Sequence, residues 1–203
     1  MKVTWLGDAG LLLRSEKILV AVDPTVEIPS PDVLVLTHAH PDALDMGVVG
    51  RLLAGGRVTV LASEGVFERI APVAGENNLV LLAPGTVYSV LGVTFYSVPS
   101  AHSDRTAVGV IIDDGERTYY ASGDTLYNYD VIDSVLELAP DGVDVAFLSI
   151  SGRDCNMNAR DAADFAYEIG AGVAVPVRHG ALDPAAFDFE DALVLAVGEE
   201  RDI

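Results

Sequence analysis

A chain of 203 residues, half of them apolar, is long enough to bury a core of its own, and it reads as one domain over 1–203. The net charge of −19, with Lys2 and Lys17 as the only lysines, argues against a general nucleic-acid or anionic-membrane surface, because phosphates are held largely by Lys and Arg. The apolar runs break well short of the roughly 20 residues that span a bilayer, MKVTWLGDAG lacks a secretory signal's apolar core, and the lone Cys155 can form no internal disulfide; a cytoplasmic location is expected.

In chain order, the runs KVTWL, GLLLR, KILVAVD and DVLVLT read as strands, followed by a helix at about 46–54, the strand RVTVLA and a helix at about 63–71. VYSVL, VTFYSV, AVGVIID and RTYYAS follow as strands, separated by turn signals such as Leu91-Gly92 and Asp113-Asp114-Gly115. A helix at about 127–138 then leads into alternation: the strand DVAFLSI, a helix at about 159–169, and the strands GVAVPV and ALVLAV. In the last helix Ala162, Phe165, Ala166 and Ile169 recur at helical spacing, with Asn158 as N-cap. Near-continuous apolar strands, hairpins first and strand–helix alternation later, predict an α/β fold of sheets covered by helices.

The chain has four histidines, His38, His40, His102 and His179, and each lies just beyond a β-type run, where a rigid sheet presents functional groups. Asp124 closes the run RTYYA in the same way, and Asp42 follows the His38-Ala39-His40 pair. An HxH pair leaving a strand can turn both imidazoles toward one point. His102 and Asp124 would complete a set of nitrogen and carboxylate donors suited to a divalent ion. Such an ion acidifies water and polarises a carbonyl or phosphoryl oxygen. No GxSxG or phosphate-loop signature competes with this reading.

The series WLGDAGLLL, VDPT, THAHPD, VPSAH, SGDT and a late histidine after GVAVPV resembles the metallo-β-lactamase superfamily over nearly the whole chain. NMNARDAADFAYEIGAGVAVPVRHG is most similar to the branch of L-ascorbate-6-phosphate lactonase. The resemblance implies an αββα sandwich of two mixed sheets flanked by helices, with zinc or manganese at one edge. It also implies that His38, His40 and His102 bind a first metal and that Asp124 bridges to a second, to which Asp42 and His179 would belong. Asp23 would support the histidines by hydrogen bonding. In that branch the segment carrying Asn156 and Asn158 approaches the site, although capping accounts for Asn158. Asp8 reads as a turn residue or a pocket residue, and Ser103, Asp104 and Arg105 as solvated loop.

Two departures touch the second metal. The motif HxHxDH ends here in Ala43, which has no donor atom, and Pro-x-His becomes Pro176-Val177-Arg178-His179, so that Arg178 takes the histidine's place and His179 is displaced by one. One metal per chain is therefore expected, with Arg178 binding substrate or supplying charge in place of the second ion. The function expected is a hydrolase in which metal-bound hydroxide attacks a small lactone, ester or phosphodiester, with Asp42 as general base. A non-catalytic protein that retains the fold and an ion, and a nucleic-acid phosphodiesterase, are the alternatives. A small-molecule partner is expected, with a homo-oligomer left open.

Overall fold

The computed structural model describes residues 1–153 and 155–203. The chain begins with β1 (Lys2–Gly7), β2 (Gly10–Arg14), β3 (Leu19–Val22) and β4 (Val33–Leu36), then α1 (Met46–Ala54), β5 (Thr59–Ser63), α2 (Glu64–Ile70) and β6 (Asn78–Leu82). It continues through β7 (Val87–Val90), β8 (Val93–Pro99), β9 (Val108–Asp113), β10 (Thr118–Ala121), α3 (Tyr129–Leu138), β11 (Val145–Ser149), α4 (Ala159–Glu168) and β12 (Val173–Val177), and closes on β13 (Glu200–Asp202). The first sheet runs β13-β1-β2-β3-β4-β5-β6 and the second β12-β11-β10-β9-β8-β7. Both are mixed: β1 to β3 and β7 to β10 pair antiparallel, whereas β3 to β6 and β10 to β12 pair parallel.

The near-continuous apolar strands follow from the twofold period of a strand, which sends alternate side chains to opposite faces. Leu11, Leu13, Val20, Val22, Val33 and Val35 enter a core between the sheets, where they meet Phe95, Val110, Tyr119 and Phe147. The residues between them, Leu12, Ala21, Leu34 and Leu36, face outward onto Val48, Val49, Leu52 and Val66 of α1 and α2. The second sheet does the same with Ile111, Tyr120, Ala146 and Leu148 against α3 and α4. Helix, sheet, sheet and helix thus form four layers, as expected. A sheet buried on both faces can carry no polar stripe, and each fully buried Leu, Val or Phe adds about 1.5–3 kcal/mol.

Three elements depart from the sequence reading, the short strand Glu200–Asp202 among them. Asn78–Leu82 is an edge strand that was not foreseen; half-exposed and led by Asn77-Asn78, its run NLVLL is too short to show a period. ALVLAV, expected as a strand, makes only an isolated bridge, Ala192 with Ala174 of β12. It then leaves the second sheet, buries Leu195 in the central core, and reaches the first sheet, where the Gly198 N–H donates to the Trp5 carbonyl at 2.7 Å. Its apolar residues serve a crossing between sheets, so their spacing carries no strand register.

The α-β connections, from α3 to β11 and from α4 to β12, pack closely at the end remote from the histidines. A Cβ added at Gly142, whose φ is +88°, would lie 2.2 Å from the Gly170 carbonyl oxygen. Only glycine tolerates both the backbone angle and that approach. Gly142→Ala is expected to cost about 2–4 kcal/mol, the sum of left-handed strain and forced displacement, read as a lower urea midpoint with unchanged m-value.

Candidate metal centre

The parallel arrangement puts the candidate residues at one end of the sandwich. Asp23 follows β3, His38 and His40 follow β4, His102 follows β8, Asp124 follows β10 and Arg178 follows β12. β3 and β4 run parallel, as do β10 to β12, and β8 shares their direction because it is separated from β10 by two antiparallel pairings. The C-terminal ends of the two sheets meet here, joined by the Val108 N–H donating to the Thr37 carbonyl at 3.1 Å.

His38, His40 and His102 face one another, with ring centroids 5.4, 4.9 and 4.7 Å apart for the pairs 38–40, 38–102 and 40–102. One donor atom from each lies within 4.8 Å of the others. Asp124 Oδ2 stands 3.4 Å from His38 Nε2, and both side chains are buried. His38 Nε2, His102 Nε2 and both Asp124 oxygens are buried without a hydrogen-bond partner among the described residues.

Behind His38 runs a polar chain that sets its tautomer. The Thr37 hydroxyl donates to Asp23 Oδ2 at 2.6 Å, while the Thr37 backbone N–H donates to Asp23 Oδ1 at 2.8 Å. Having given its one proton to Asp23, the hydroxyl oxygen accepts from His38 Nδ1–H at 2.9 Å, which leaves the Nε2 lone pair aimed into the site. Asp23 adopts φ +41°, and burial pushes its carboxyl up to about 6 against the opposing pull of His38 and the Thr37 hydrogen bonds. Burial works against a charged His38 as well, but Asp124, Asp23 and Asp42 outweigh it and raise the ring's pKa. Burial and the neighbouring His38 lower that of His102. His102 Nδ1 accepts the Asp104 N–H at 3.1 Å, so the neutral ring carries its hydrogen on Nε2, and an ion seated there must displace it and loosen that contact.

The peptide between the first two histidines is held on both sides. Asp104 Oδ2 accepts the Ala39 N–H at 3.1 Å, while Arg69 Nη1 donates to the Ala39 carbonyl at 2.6 Å. Asp104 is itself fixed by the Thr106 hydroxyl at 2.7 Å and backbone N–H at 2.9 Å. Asp104 is therefore a clamp on the HxH loop rather than solvated loop, a role that its neighbours Ser103 and Arg105, both exposed, do not share. The Asp-x-Thr spacing was the available signal; Thr37 and Arg69 left none. Gly123 makes the approach possible, since at φ +56° an added Cβ would sit 2.9 Å from Thr37 Oγ1.

Opposite the histidines, Arg178 takes a left-handed backbone (φ +52°) immediately after β12 and is buried. Its Nη2 pairs with Asp42 Oδ2, and its Nη1 lies 2.8 Å from Asp124 Oδ2. His38 and Arg178 hold the Asp124 carboxylate below the usual range despite its burial. His179 stands apart from the other histidines: its ring lies against Trp5, centroids 4.8 Å apart. Asp8 is a turn residue whose carbonyl accepts from both the Trp5 indole and the Arg178 N–H, each at 2.9 Å. Ala43 is buried and follows the turn in which the His40 carbonyl accepts from the Ala43 and Leu44 N–H groups.

The family described as Beta-lactamase superfamily domain matches residues 5–179. The chain belongs to the beta-lactamase superfamily. Among its relatives, a UPF0173 metal-dependent hydrolase of Methanoculleus marisnigri is 30% identical over 198 residues, covering 88% of this chain and 81% of that protein. Another of that name, from Methanopyrus kandleri, is 26% identical over 214 residues and covers 94% and 89%. The solved structure of Igni18, a metallo hydrolase from Ignicoccus hospitalis, superposes with a TM-score of 0.82 at 20% identity over 98% of this chain and 97% of that one, a likeness of fold.

The donors of this superfamily member fit a divalent ion. Three imidazoles and a carboxylate converge, several of their atoms are orphaned in the interior, and an ion with nitrogen ligands at about 2.0–2.1 Å would draw them together. Because Asp23 acts on His38 through Thr37, Asp23→Asn is expected to lower affinity for zinc by about 10–100-fold. Asparagine accepts the left-handed backbone, so circular dichroism should show a folded protein while competition with a chromophoric chelator reports the loss.

Proposed function

We propose that this protein is a metal-dependent hydrolase of small molecules that holds one divalent ion, zinc or manganese, on His38, His40, His102 and Asp124, with Arg178 in place of a second. The observation that carries this reading is the Arg178 guanidinium seated between Asp42 and Asp124, while Ala43, next in sequence to Asp42, offers no donor atom. A fixed cation paired to both carboxylates leaves neither free to gather another ion.

When bound, a divalent ion supplies a Lewis acid that polarises a carbonyl or phosphoryl oxygen and acidifies water. The residues around it divide the remaining work. His38 is held in one tautomer by Thr37 and Asp23. Asp42, about half-exposed at the mouth, takes the proton from the attacking water as general base. Arg178 keeps Asp42 and Asp124 in place, and the guanidinium's remaining N–H groups are donors for the oxygen on which charge builds in a lactone, ester or phosphodiester. The acidic charge of the chain disfavours a nucleic-acid substrate.

Protein purified without added metal and then titrated with zinc should bind one equivalent per chain by elemental analysis; two equivalents at full occupancy would sink the one-metal reading. Combining Ala43→His with Arg178→His should raise the stoichiometry to two. Turnover of p-nitrophenyl acetate, a γ-lactone or bis(p-nitrophenyl) phosphate should disappear on chelation and return with metal, and His38→Ala should reduce it by about 10³-fold or more. Metal binding with no turnover of any such probe would favour a non-catalytic role instead.

A further inference from the structure

Between Glu76 and Asp104 the chain carries no Asp, Glu, Lys or Arg, although those four types make up 21% of its residues and leave it with a net charge of −19. The fold places this neutral stretch along one flank of the molecule, where β6 ends the first sheet and β7 ends the second. Asn78 Nδ2 donates to the Tyr88 hydroxyl at 2.8 Å, so the two strands lie against each other. Val80, Tyr88 and Val90 are only partly buried where they pack on the central core, while Leu81 is 42% and Val87 55% exposed. The core between the sheets is thus open along this flank.

The opposite edges are protected against strand addition. β13 reads Glu200-Arg201-Asp202, charges that deter a further strand, and β12 is flanked by the chain itself, the Leu193 N–H donating to the Ala174 carbonyl at 2.9 Å. β6, Asn78-Leu79-Val80-Leu81-Leu82, has neither a charge nor a proline. The Asn78 N–H donates to the Val58 carbonyl at 3.0 Å, toward β5. By the alternation of a strand, Val80 and Leu82 also turn their backbone groups to β5, and Leu79 and Leu81 turn theirs away from the sheet. Their N–H and C=O groups therefore line the sheet's last edge.

We propose that this flank is the interface between two copies of the chain, in which β6 pairs antiparallel with the β6 of a second copy about a twofold axis at Val80 and the first sheet runs on from one copy into the other. In this register Leu79 of each copy exchanges backbone hydrogen bonds with Leu81 of the other, and the whole strand is used. Charge decides the occupant. A second copy brings the same net charge of −19 and is repelled by the acidic faces, so the neutral flank is where two such chains can meet. A basic partner would be drawn to the acidic surface instead, whereas a twofold mate presents the same uncharged edge in self-complementary form.

Sedimentation equilibrium of the full chain at up to about 100 µM should show a dimer that tightens as salt screens the net charge. A monomer throughout, which would leave the edge to an extended segment of some other protein, overturns the proposal. So does a dimer that loosens with salt, since charged surfaces would then hold it. Leu81→Glu sets a carboxylate at the seam and should raise the dissociation constant about tenfold or more. Val197→Glu puts the same charge on an exposed residue near Gly7, toward the sheet's other edge, and should change the constant by less than about threefold. An equal effect of the two would place the contact elsewhere and overturn the proposal. Val80→Cys in a Cys155→Ser background tests the register without adding charge: the twofold sets the two thiols in a non-hydrogen-bonded pair with Cα atoms about 4.5 Å apart, within disulfide reach. Oxidation should link the copies, and a dimer that gives no cross-link overturns the β6 pairing. Should Leu81→Glu lose its folded circular dichroism, the cross-link decides alone.

Discussion

Charge buried where the two sheets end is the constraint around which this structure is arranged. Asp23 and Asp124 are shut away from solvent beside His38, with Asp42 at the rim. Carboxylates so placed must be paired or give up their charge, and each here has met the demand differently. Asp23 takes two hydrogen bonds from Thr37 and still has its carboxyl pushed up to about 6. Asp124 keeps its charge because His38 and Arg178 flank it. Among these groups the carboxylates outnumber the single guanidinium; a divalent cation held between the three imidazoles and Asp124, as proposed, would restore the balance and couple metal binding to folding through the same charges.

The Arg178 arrangement shows how small a backbone change can redirect a site. Residues 177 and 178 lie at the end of β12, where continued strand geometry would send successive side chains to opposite faces. The left-handed angle at Arg178 turns the chain instead, so that the guanidinium reaches the carboxylates and the His179 ring is left on Trp5. Ala43, the other departure from the metal motif, also brings no donor atom.

Much of this was legible in the sequence, for reasons that differ between the parts. The strands announced themselves because a sheet buried on both faces needs unbroken apolar runs, and α4 because Asn158 and the Ala162, Phe165, Ala166 spacing mark a cap and a face. Three of the four histidines could be grouped because each follows a strand, and strands of like direction end together; His179 follows a strand too, yet its ring lies against Trp5. What could not be read depends on distance through space. Asp104 lies 65 residues from the peptide it clamps, and nothing near it names Ala39. Whether Arg178 or His179 turns inward rests on one φ angle. ALVLAV has the composition of a strand, and its course across the gap between sheets is set by partners on both sides.

The clamp on Ala39 has a wider consequence. The backbone between His38 and His40 is anchored by Asp104 from one sheet's loop and Arg69 from α2, neither of which is among the converging donors. The positions that carry donors are consequently held by residues other than the donors themselves. A side chain at position 38 or 40 can then be exchanged while the peptide between them stays put. In a scaffold of this kind, a change of donor side chains need not wait on rebuilt loops, so that chemistry can vary while the fold is left alone.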